Sequence, residues 1–91
     1  MARIARHIRV SGHVQGVFFR AWTREQADRL DVHGWIRNCP DGAVEGHVEG
    51  PEDRVAELIQ LLRRGPPGAR VENLQVSDAK IENADWFSVR H

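Results

Sequence analysis

Between Val10 and Arg20 the chain reads Val-Ser-Gly-His-Val-Gln-Gly-Val-Phe-Phe-Arg, a strand pattern that passes through two glycines and reaches an arginine where a helical pattern begins. Few backbones accommodate that order. Gly12 and Gly16 allow positive φ at little cost, so consecutive amide N–H groups can turn inward around an oxyanion. The following helix adds the positive end of its dipole, and the Arg20 guanidinium can grip two phosphate oxygens at once. The same spacing also suits a plain strand-to-helix turn. Arg20, in a chain with thirteen basic residues, all but Lys80 arginine, is equally at home as a solvated surface group.

The rest of the chain builds around this stretch. Ile4 to Val14 alternates with strand period, and a helix is expected from about Arg20 or Ala21 to about Asp31, with Thr23, Ala27 and Leu30 on its thin apolar face. Trp35–Cys39 and Ala43–Gly50 read as two strands joined by the turn residues Pro40-Asp41-Gly42. In the second of these Val44, Gly46 and Val48 face one way and Glu45, His47 and Glu49 the other. Pro51, Glu52 and Asp53 open a second helix with Val55, Leu58, Ile59 and Leu62 as its stripe, stopped by Gly65-Pro66-Pro67-Gly68. Parity changes between Val71 and Leu74, which predicts a bulge near Asn73 in a strand from about Arg70 to Ala79. Trp86–His91 closes the chain as a short strand.

This order is βαββαβ with one extra strand. Two right-handed crossovers put both helices on one face of an antiparallel sheet, so the expected fold class is α+β, a ferredoxin-like sandwich, as a single domain over residues 1–91. Formal net charge is zero, which argues against nucleic acid or an anionic membrane as partner. The lone Cys39 excludes an internal disulfide, no apolar run approaches membrane-spanning length, and the protein is expected to be cytoplasmic and monomeric. The five histidines show no metal-like pairing and are expected at the surface for the most part.

The Val10–Arg20 string resembles the first signature of the acylphosphatase family, with Gly12, Val14, Gln15, Gly16, Val17, Phe19 and Arg20 in step. Gly34-Trp35-Ile36-Arg37-Asn38, followed by Gly42, Val44 and Gly50, resembles the second. The likeness extends to Gly65-Pro66, Val71 and Phe87-Ser88-Val89-Arg90, so it covers almost the whole chain. It implies the same sandwich fold and a hydrolase that cleaves acyl phosphates without a cofactor or metal. Phosphate would be bound by the backbone amides of Gln15, Gly16, Val17, Phe18, Phe19 and Arg20. Arg20 and Asn38 would be the catalytic pair, Arg20 on the phosphate and Asn38 on the attacking water, whose proton passes to the substrate phosphate.

Elementary chemistry is compatible with that division of labour. The leaving carboxylate has a conjugate acid of pKa about 4, so no strong general acid is needed, and a loose phosphoryl-transfer transition state asks chiefly for positioning and positive charge. Three positions depart from the family pattern: Cys39-Pro40 in place of a threonine after the asparagine, Ile36, and a terminal His91. The first removes any hydroxyl contact behind Asn38. Gln15 is expected to stabilise the loop, Phe18 and Phe19 to pack in the core and against the loop, and Trp22, which falls off the apolar helix stripe, to be partly exposed near the site. A cysteine phosphatase is excluded, because the position six residues after Cys39 is Glu45 and not arginine. Two rival functions remain, a module that holds a phosphate-bearing ligand without turning it over, and an RNA-binding sheet, for which the closely spaced strand aromatics are missing.

Overall fold

The computed structural model describes residues 2–91. It comprises β1 (Arg3–His13), α1 (Phe19–Leu30), β2 (His33–Asn38), β3 (Val44–Pro51), α2 (Glu52–Arg64), β4 (Arg70–Asp78) and β5 (Phe87–Arg90). The strands form one sheet in the order β4-β1-β3-β2-β5. All neighbouring pairs are antiparallel except β2 and β5, which are parallel, so the expected antiparallel sheet is a mixed one. The crossover helices α1 and α2 pack on each other and on the same sheet face.

Alternation explains the core. Ile8 and Val10 of β1, Ile36 of β2, and Val44 and Val48 of β3 point to the helices and are fully buried. Val55, Leu58 and Leu62 of α2 meet them, as do Phe19, Ala27 and Leu30 of α1, while Ile59 is only partly covered. Buried Thr23 returns its hydroxyl to the Phe19 carbonyl at 2.8 Å, which satisfies it within the helix. The predicted bulge is present: Ser11 pairs with Asn73 but Gly12 with Val71, leaving Glu72 as the extra residue of β4.

One histidine departs from the surface position expected of most of the five, and it lies on the other sheet face. Glu45, His47 and Glu49 do face away from the helices, yet His47 and Glu49 are buried at 3% and 0% exposure, so His47 is no surface histidine. The connection between β4 and β5 closes over them. The Glu49 carboxylate accepts the amides of Glu82, Asn83 and Ala84 at 3.1, 3.3 and 2.8 Å. His47 Nε2 lies 3.6 Å from Glu49 Oε1 and 3.8 Å from Glu82 Oε1, and among the described residues it has no hydrogen-bond partner. Element ends shift by a residue or two as well. Pro51 finishes β3 and caps α2 instead of sitting in its first turn, and α1 begins at Phe19. Among the described residues no helix is long and apolar enough to cross a membrane.

Candidate active site

Strand direction gathers the site. β1 and β2 both run antiparallel to the β3 that separates them, and β5 runs parallel to β2, so β1, β2 and β5 all end at the same edge of the sheet. Open sheets bind ligands beyond the carboxyl ends of such strands. Here that edge collects the loop after β1, Asn38 at the end of β2 and Arg90 at the end of β5.

The loop curls through two left-handed residues. Gly16 has φ 74°, and Phe18, which stands at the helix N-cap, has φ 59° and ψ 26°. A non-glycine residue held there costs about 1–3 kcal/mol, strain that clusters at ligand-binding backbones. The Phe18 side chain points into solvent at 85% exposure, so its packing does not explain the conformation. As at other helix starts, Phe18 O accepts the Trp22 amide, here at 2.9 Å, and among the described residues no side chain caps the helix. The first-turn N–H groups of α1 are therefore free to face an anion. Phe19, by contrast, is buried and tethers the loop to the core, with the half-buried Trp22 ring 5.9 Å from it.

Gln15 ties the loop to the β2–β3 hairpin. Its side-chain Nε2 donates to the carbonyls of Cys39 at 2.9 Å and Ala43 at 2.8 Å. The hairpin is closed in turn by Cys39 N to Ala43 O at 2.8 Å and Gly42 N to Cys39 O at 3.1 Å. Asp41 accepts the Ala43 amide at 3.1 Å and pairs with Arg9. That amide and the Arg9 guanidinium hold the Asp41 carboxyl below the usual carboxylate range. Whatever hydroxyl contact Cys39-Pro40 removes, the segment after Asn38 is thus fixed through its backbone from both sides.

Arg20 is fixed from the far end of the chain. Its Nη1 donates to the Arg90 carbonyl at 2.6 Å, which uses one of five guanidinium donors. Arg90 lies over Trp35, with its guanidinium carbon 4.4 Å from the ring centroid, and Arg37 approaches the same ring at 5.9 Å while pairing with Glu45. Nothing in the sequence pattern pointed to a main-chain carbonyl of the last strand as the partner of Arg20. Gln15, Gly16, Phe18, Phe19, Arg20 and Asn38 line one cavity of about 300 Å³, closed on a further side by Val89 and His91. The expected pair therefore shares one site, whereas Val17 is not among its walls and contributes at most its amide. Among the described residues no three His, Cys, Asp or Glu side chains stand close enough to hold a metal ion.

The chain is similar to known proteins over nearly its whole length. Residues 6–89 match the family model described as Acylphosphatase. An acylphosphatase of Rhizorhabdus wittichii is 57% identical over 94% of this chain and 87% of that protein. One of Anaeromyxobacter sp. is 52% identical over the full length of both. The structure of an acylphosphatase from Coxiella burnetii superposes with a TM-score of 0.93 at 39% identity, covering 97% of this chain and 93% of that one.

Proposed function

The chain belongs to the acylphosphatase family, enzymes that hydrolyse acyl phosphates, and from that premise we propose which of its groups perform the reaction. The substrate phosphate sits in the cradle of amides from Gln15 to Arg20, and the free N–H groups of Arg20 take its non-bridging oxygens. Asn38 accepts a hydrogen bond from a water and aims it at phosphorus. The P–O bond to the acyl group breaks as the new P–O bond forms. The carboxylate leaves with the bonding electrons and the water's second proton passes to the phosphate oxygens, giving a carboxylate and dihydrogen phosphate. Positive charge comes from Arg20, the loop amides and the helix terminus, with neither metal nor cofactor in any step.

A single observation carries this assignment: an arginine, an asparagine and a strained amide loop, drawn from two strands and a helix end, open onto one cavity. The rest of the proposal is that residues 1–91 act as one domain, as a monomer, on small acyl phosphates in the cytoplasm. The unpaired Cys39 and a net charge of zero are compatible with it.

The test is release of carboxylate from benzoyl phosphate in EDTA, with inorganic phosphate as competitor. Arg20→Lys is expected to lose most of kcat/KM, because an ammonium cannot reproduce the fork that spans the Arg90 carbonyl and the phosphate. Asn38→Ala is expected to lose kcat while inorganic phosphate still competes at nearly its wild-type concentration. Normal turnover in either variant removes that residue from the mechanism. A folded wild type that phosphate stabilises but that leaves benzoyl phosphate intact points to a binding module instead.

A further inference from the structure

A second cavity adjoins the first. This open groove of about 450 Å³ is lined by Ala21, Arg24, Glu25, Asp28, Val89 and His91, so it shares Ala21, Val89 and His91 with the phosphate cavity. It includes neither Asn38 nor any residue of the amide loop. In an in-line displacement the water and the departing group lie on opposite sides of phosphorus. With the water at Asn38, the acyl group departs away from that residue, and the adjoining space whose lining leaves Asn38 out is this groove, joined to the phosphate cavity at Ala21, Val89 and His91. We propose that it is the acyl subsite, with Ala21 and Val89 as its floor and Ala21 as the residue that sets how bulky an acyl group can pass. This rests on the reaction proposed above.

The lining also defines the class of acyl group. Next to the cradle the shared walls are the small side chain of Ala21, the isopropyl group of Val89 and the terminal His91, and Ala21 is exposed at the surface of α1, so a larger side chain there would project into the passage. At the far end Arg24 and Asp28 form an ion pair at 3.9 Å, one helical turn apart, beside Glu25. From Ala21 to Asp28 the helix rises roughly 10 Å, at about 1.5 Å per residue. The subsite therefore takes acyl phosphates with an unbranched or flat apolar stem of several carbons, and a polar terminus is tolerated only where the stem reaches the Arg24–Asp28 pair. Acetyl phosphate fills the cradle and leaves the groove unused.

The experiment is a kcat/KM series over acetyl, butanoyl and hexanoyl phosphate in wild type, Ala21→Leu and Asp28→Leu, each normalised to its own acetyl phosphate value. Each methylene that enters the groove is expected to raise kcat/KM by up to roughly fourfold in wild type. Leucine at position 21 blocks the entrance and flattens the series to less than about twofold overall, because a filled passage leaves no methylene to bury. Asp28→Leu, at the distal end, extends the apolar floor and favours hexanoyl over butanoyl phosphate beyond the wild-type ratio. Overturning results are a wild-type series that stays flat while acetyl phosphate is hydrolysed, or an Ala21→Leu series as steep as wild type. Failure to hydrolyse acetyl phosphate at all strikes the proposed reaction itself.

Discussion

Replacing Gln15 by alanine separates the amide loop from the hairpin that carries Asn38, and the structure bounds the effect. Two neutral, half-buried hydrogen bonds of 2.9 and 2.8 Å disappear. Neither carbonyl is orphaned, since Cys39 O keeps the Gly42 amide and Ala43 O keeps the Cys39 amide. The loss is therefore the net value of the bonds, about 0.5–1.5 kcal/mol each or about 1–3 kcal/mol together, without an added desolvation cost. If the tie serves to hold cradle and asparagine in register, the same free energy is lost on forming the transition state. At about 1.4 kcal/mol per tenfold, kcat/KM falls between about fivefold and about 150-fold. Urea unfolding and steady-state kinetics on one preparation read both quantities. A variant destabilised by this amount but kinetically normal refutes the reasoning, because the bridge then supports the fold without aligning the site. An unchanged unfolding free energy refutes it from the other side.

Other positions give equally direct tests. Burial alone raises the Glu49 pKa, but the amides of Ala84, Asn83 and Glu82, helped by His47, reverse this and leave it below its ordinary value. The resulting stability is present above the ordinary carboxylate pKa and is lost as pH falls through the lowered one. Glu49→Gln keeps one acceptor oxygen and turns an NH₂ toward amide donors, so it is expected to cost about 2–4 kcal/mol at pH 7. That deficit, read by urea unfolding, narrows in acid as the wild type protonates, and a pH-independent difference contradicts the assignment. In Gly34→Ala the new Cβ stands 1.8 Å from the His47 carbonyl oxygen at φ 139°, whereas at Gly42 nothing lies within 4 Å. Gly42→Ala should cost only backbone strain, about 1–3 kcal/mol, and Gly34→Ala clearly more; equal losses in thermal unfolding contradict the close approach.

Local signals in the chain predict local features well. The parity change between Val71 and Leu74 marks a bulge because a strand cannot bury both parities without an extra residue, and Glu72 is that residue. The α2 stripe and the turn at Pro40-Asp41-Gly42 depend on neighbours only a few positions away, and both formed as read. The misreadings have two sources, distant segments and an unusual local backbone. Alternation correctly turned His47 and Glu49 away from the helices, but burial there depends on where the connection from Ala79 to Trp86 falls, and no periodicity encodes that. The start of α1 at Phe19 follows from a left-handed Phe18, a conformation that sequence pattern gives no reason to expect of phenylalanine. For the site, Arg20 and the loop stood out through type and spacing, and Asn38 through the resemblance to the acylphosphatase family. The carbonyl of Arg90 did not, since a main-chain acceptor leaves no mark on residue identity.

That carbonyl joins residues seventy positions apart, and it belongs to a four-residue strand at the margin of the sheet. Chain termini open locally at low free-energy cost, so the guanidinium of Arg20 is oriented by a short edge strand that can open without the rest of the fold. Linkage makes the dependence mutual: an anion that selects the oriented arginine must also favour the docked strand. Amide hydrogen exchange across Phe87–Arg90 should consequently slow when phosphate is added, which makes the last strand a reporter of occupancy in the cradle.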